Sequence, residues 1–162
     1  MSLNFRLGAA LGAAVCFLLL GYGYYLQYAR GLDPCPLCLV QRGFYYLVGG
    51  VLVVAAIHAP RGIGRLAYGG LAALFAAGGI ATAGRQVWLQ HLPPDRVPAC
   101  GPDLFFMLGN FPLWQALGKL FAGTGECAVV DWAFLGLSIA EWSLGWFVAL
   151  AAWALWLCAR RI

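Results

Sequence analysis

The sequence predicts an all-α protein: a transmembrane four-helix bundle with a long outer loop that contains a short interfacial helix. Three observations predict it. Of the 162 residues, 63% are hydrophobic and only 10% are charged, too apolar a balance for an ordinary soluble domain. The apolar residues gather into four uncharged runs between charged or polar markers, and about 20 residues of helix cross the ~30 Å hydrocarbon core. The charges are also sorted. With four spans, both termini and the loop from His58 to Arg65 share one side, which holds Arg6, Arg61, Arg65, Arg160 and Arg161 and no acid, while Asp33, Asp95, Asp103, Glu126, Asp131 and Glu141 all fall on the other. The basic side is expected to be cytoplasmic.

The first run, Leu7 to Ala29, lies between Arg6 and Arg30 and predicts a span over about 8–28. A secretory signal peptide is the rival reading, since Arg6 precedes an apolar stretch rich in Ala and Gly. The run instead continues into "GYGYYLQY", an aromatic band suited to the membrane interface, with no convincing cleavage site before it. The second run, Gly43 to Ile57, is too short alone, so its helix is expected to begin near Pro36, cover about 36–58 and carry Arg42 inside it. An outer segment of about 29–36 precedes it. An ionisable group at that depth is expensive and reads as functional, against the alternative of an arginine snorkelling to the headgroups.

The third run, Leu66 to Gly84, predicts a span over about 66–88. The second outer loop follows, about 89–141. Prolines 93, 94, 98 and 102 make its start irregular, and Pro112 is placed to open a short helix through Phe121. In that helix Leu113, Trp114, Leu117, Leu120 and Phe121 share one face and Gln115 and Lys119 the other, which suits the membrane interface or packing on the bundle. The fourth run, from Trp142, predicts a span over about 142–159. With no repeat and no low-complexity linker, residues 1–162 read as a single membrane domain. No basic stripe suggests nucleic acid.

The topology sorts the cysteines. Cys35, Cys38, Cys100 and Cys127 fall on the outer side, whereas Cys16 and Cys158 lie in or at the end of apolar spans and read as small hydrophobes. No metal is expected, because Cys100 and Cys127 are too far apart in sequence to form the second close pair of a zinc ribbon. Purely structural pairing also fits poorly, since a Cys-x-x-Cys bond closes too small a loop to stabilise much. Close spacing suits reversible exchange. Pro36 is tolerated in a first helical turn, which places Cys38 at the positive end of a helix, where a thiolate is favoured. Arg42 stands one turn further on the same face, where its permanent charge would serve that thiolate or another anion. His58 reads as structural, and Arg85 as a residue capping the outer end of its helix.

"CPLCLVQR" at the head of the second span, Cys100 and Cys127 in one outer loop, and "GECAVVDWAFLGLSIAEW" leading into the fourth span resemble the DsbB family of bacterial inner-membrane, quinone-linked thiol oxidases. The resemblance covers essentially the whole chain. It implies a quinone-dependent thiol oxidase that reoxidises a periplasmic thioredoxin-fold dithiol oxidase of the DsbA type, with both termini cytoplasmic and the cysteine loops periplasmic. Carried over by position, it makes Cys100 the cysteine attacked by the reduced partner and Cys127 its internal mate, which exchanges with Cys35. Cys38 becomes the thiolate that faces the quinone, ubiquinone or menaquinone. Arg42 matches an arginine that supports quinone binding, and His91 a histidine near the quinone, although a histidine at a span boundary is as readily an interfacial residue. Gln41 stands where some relatives carry an acid.

The DsbA–DsbB–quinone route is known to keep a periplasm oxidising, so that link is a property of the family. It is coherent with the chemistry. A partner disulfide at about −120 mV is regenerated only by an acceptor of higher potential, and each ~30 mV is worth ~1.4 kcal/mol for two electrons. Two other readings stay open at this point. One is a quinone reductase of the vitamin K epoxide reductase type, in which the order of the two cysteine pairs along the chain differs. The other is a non-catalytic membrane subunit with structural disulfides, for which Gly-rich spans such as "GGLAALFAAGGIATAG" would also serve.

Overall fold

The computed structural model describes residues 2–99, 106 and 109–159. Its frame is four long helices: α1 (Ser2–Arg30), α2 (Pro36–His58), α3 (Ile63–Gln90) and, after the long loop with its short helix α4 (Leu113–Ala122), α5 (Ile139–Ala159). All four are long and apolar enough to cross a membrane. The four helices cover the four apolar runs, and α1, α3 and α5 each begin several residues earlier than those runs suggest. Residues such as Arg65 and Glu141 bound those runs in the sequence, but a helix end tolerates a charge where the chain meets water or headgroups.

Helix ends follow local chemistry. Pro36 occupies the first turn of α2, where its missing N–H is not needed, and Cys35 caps it in an extended conformation. The helix stops at Ala59, a left-handed residue with φ 47° whose N–H reaches Ala55 O at 3.0 Å. Before α5, Ser138 and Glu141 form a reciprocal cap: Ser138 N donates to Glu141 Oε2 at 2.7 Å, and Glu141 N to Ser138 Oγ at 3.3 Å. No strand is expected from the sequence, yet a small hairpin precedes this cap, β1 (Ala133–Phe134) against β2 (Leu137–Ser138), antiparallel. Leu135 and Gly136 both take positive φ, 53° and 80°, as a two-residue hairpin turn requires.

In the bundle α1 packs on α2, α2 on α3 and α3 on α5. Lipid tails are as apolar as leucine, so shape fit rather than burial holds such helices together. Glycine provides that fit. Phe147 on α5 is fully buried, its ring seated directly on Gly79 of α3 and stacked 4.1 Å from the Tyr45 ring of α2. Gly49 of α2 likewise admits Cys16 and Phe17 of α1. Large apolar side chains such as Leu18, Ile57 and Leu74 point outward and are exposed, as a lipid-facing surface demands.

Contact between α1 and α5 concentrates at the end of the bundle that carries the chain termini. There Trp153 Nε1 donates to Gly8 O at 3.0 Å, and Gly12 makes room for Leu52 and the Trp153 ring. Toward the other end the two helices enclose a cavity of about 650 Å³, bordered by residues between 19 and 26 of α1 and between 139 and 146 of α5. The Cys-x-x-Cys pair opens into it.

Candidate functional site

The start of α2 builds the site. Because Pro36 opens the helix, Cys35 sits just outside it and Cys38 within the first turn, and their sulfurs approach to 3.2 Å as free thiols. Both line the cavity. Cys127 lies in a short 3₁₀ turn (Gly125–Ala128), fully buried against Leu37 and Leu89, with Cys35 packed on the same cluster.

The backbone of that turn is fixed by Cys127 N donating to Thr124 O at 2.9 Å, and Thr124 Oγ1 lies 3.7 Å from Cys127 Sγ. Cys35 thus lies beside Cys38 and on the cluster that buries Cys127. The hydrogen bond from Cys35 is the largest influence on Cys127, and with backbone donors at Leu37 and Thr124 it outweighs burial and pulls the Cys127 thiol down to about 6. Cys35 moves the other way: its hydrogen bonds to Cys127 and Cys38, and then its burial, hold it protonated well above the usual thiol range. The arrangement favours an anion on Cys127 facing a neutral Cys35.

Two amides complete the polar wall. Gln86 of α3 brings Nε2 to 3.3 Å from Cys38 Sγ and 3.4 Å from Cys35 Sγ, and its Oε1 accepts from Gln41 Nε2 at 2.7 Å. Sequence reasoning missed this pair. The available signal was an uncharged amide inside each of two apolar spans, where a polar group needs a partner.

Arg42 lines the cavity, but its head turns to α1 rather than to Cys38. Nη1 donates to Gln27 Oε1 at 2.6 Å, Nη2 to Gly23 O at 3.1 Å, and the guanidinium lies 4.6 Å from the centre of the Tyr24 ring. A half-buried guanidinium still needs several partners, and α1 supplies them, while the donors near Cys38 come from α3. His91 lies outside the cavity lining. Its exposed ring bonds Val87 O at 2.8 Å through Nδ1 and stands 4.0 Å from Glu141. Arg85 reaches Phe121 O at 3.3 Å and stacks over Trp88, and His58 bonds the Tyr68 hydroxyl at 2.9 Å. Cys100, expected to pair with Cys127, lies outside the described residues.

Rings close one side of the cavity. Tyr22, Trp132, Phe134 and Trp142 follow one another at centroid distances of 6.0 to 6.2 Å, and Trp142 Nε1 donates to Phe134 O at 3.1 Å. Largely apolar walls with convergent polar groups, among them Arg42, Gln86 and Cys38, suit a flat apolar ring bearing carbonyl oxygens, so the residues present fit a quinone.

Four apolar helices, a dithiol at a bundle cavity and a third thiol against it define a membrane-embedded thiol–disulfide oxidoreductase. The comparisons with known proteins agree. The family model described as "Disulfide bond formation protein DsbB" matches residues 5–157. A disulfide bond formation protein B of Azoarcus sp. (strain BH72) is 51% identical over 148 residues, covering 91% of this chain and 89% of the relative. Another, of Nitrosococcus oceani, is 46% identical over 160 residues, covering 99% and 95%, and one of Chromobacterium violaceum is 43% identical over 163 residues, covering 99% and 98%. The chain belongs to the DsbB family. It is a thiol:quinone oxidoreductase with that family's function, the quinone-dependent reoxidation of DsbA. The vitamin K epoxide reductase-type and non-catalytic readings give way to this one.

Proposed function

We propose that this chain oxidises a periplasmic DsbA-type partner through a relay of its own sulfurs, entering at Cys100 and leaving at Cys38. The observation that carries the proposal is the position of Cys35, packed on the cluster that buries Cys127 on one side and 3.2 Å from Cys38 on the other. A partner thiolate attacks Cys100, the Cys100–Cys127 bond breaks, and the electron pair leaves on Cys127. Cys127 then attacks Cys35, the Cys35–Cys38 bond breaks, and the pair leaves on Cys38. Each exchange forms one S–S bond and breaks one, so two electrons reach Cys38 without loss.

A bound ubiquinone or menaquinone supplies the two-electron acceptor. Arg42 and the apolar walls would hold the ring, and Cys38 would face it. His91, outside the lining, is assigned to the outer end of α3 with Glu141 and not to the ring. The sorted charges support a bacterial inner-membrane placement with both termini cytoplasmic and the cysteine loops periplasmic.

The test is ubiquinone reduction coupled to a reduced DsbA-type partner. Cys38→Ser is expected to abolish it, and retained turnover would refute the relay. With Cys127→Ser, a mixed disulfide between Cys100 and the partner is expected to accumulate; trapping at another cysteine would remove Cys100 from its role.

A further inference from the structure

Gln86 and Gln41 are each only 4% exposed, and neither is explained by packing alone. A carboxamide has an accepting end and a donating end. Gln41 Nε2, at 2.7 Å, occupies the accepting end of Gln86, which leaves its donating end to the two sulfurs at 3.3 and 3.4 Å. Gln86 Oε1 also lies 3.6 Å from Cys38 Sγ, within reach of a thiol proton. The one amide can thus accept from the Cys38 thiol and donate to the Cys38 thiolate.

We infer that Gln86, oriented by Gln41, is a positioning residue that stabilises the Cys38 sulfur as the anion released when the Cys35–Cys38 bond opens. The inference rests on the relay proposed above. In that step the Cys127–Cys35 bond forms, the Cys35–Cys38 bond breaks, and the negative charge passes from Cys127 to Cys38. A leaving sulfur departs faster when its anion is stabilised. In a site screened from water, a donor already aimed at that sulfur needs no rearrangement when the charge arrives. A carboxamide does not titrate, so the donor is present at every working pH.

The test needs no quinone. Full-length reduced protein is alkylated with iodoacetamide across a pH series, and modification of Cys38 is followed by peptide-resolved mass spectrometry. Cys35, Cys127, Arg42, Asp33, Glu126 and Asp131 surround the same space and are retained in every variant. Gln86→Leu is expected to raise the midpoint of the Cys38 profile by about one pH unit, a tenfold loss of thiolate below it, with the limiting rate at high pH unchanged. Gln41→Leu is expected to move the midpoint in the same direction by less. A merely structural role would change the limiting rate through access and leave the midpoint in place, and that result overturns the inference. If Gln86→Leu does not fold, Gln41→Leu decides, and an unmoved midpoint there overturns it equally. Quinone-coupled oxidation surviving Cys38→Ser would refute the relay itself, a separate failure from either.

Discussion

In the proposed relay the attacking sulfur must be a thiolate and the attacked sulfur part of a disulfide, and the reduced protein already favours the anion on Cys127 over Cys35. With the Cys127 thiol pulled down to about 6 and Cys35 held protonated, the charge at neutral pH sits on the attacking sulfur. The sign of the pH dependence follows. In the reduced protein Cys127 gains a proton below about pH 6, so the rate of its alkylation by iodoacetamide is expected to fall about tenfold per pH unit there, and to be flat from pH 7 to 8. A rate that keeps rising tenfold per unit through pH 8 would show an ordinary thiol. Arg42→Ala is expected to raise the quinone KM at least about tenfold with partner KM unchanged, since it removes a charged group from the cavity wall. Cys35, Cys38 and Arg42 are legible in the sequence because one local motif carries all three. The partners of Arg42 on α1 and of Cys38 on α3 are not, because they depend on how each helix is rotated about its axis.

At the level of elements, the spans are legible because an apolar run long enough to cross lipid has few alternative structures. The hairpin at 133–138 is not: two-residue strands leave almost no periodic signal, and the turn places Leu135 at φ 53°, where leucine is uncommon. Helix contact depends on glycine at particular positions, above all Gly79 beneath the Phe147 ring. Gly79→Leu is expected to force α3 from α5 and destabilise the bundle by about 1–3 kcal/mol, measured by thermal unfolding in detergent. At Gly43, where a side chain would meet nothing nearby, the same substitution is expected to be mild. Equal effects at the two positions would contradict a bundle held by glycine contacts.

Across the whole molecule, one end of the bundle is closed by α1 against α5 and the other is held open around the dithiol. In the proposed relay this division would let a water-side thiol and a lipid-side ring meet at one pair of sulfurs. The link that the proposal draws between the halves is the Cys127–Cys35–Cys38 series, and it is open to direct trapping. Oxidised protein is mixed with a reduced DsbA-type partner lacking its second active-site cysteine, quenched with acid, and its disulfides are mapped by mass spectrometry. The relay requires the partner on Cys100, a bond between Cys127 and Cys35, and Cys38 free. An intact Cys35–Cys38 bond beside a free Cys127 would contradict it.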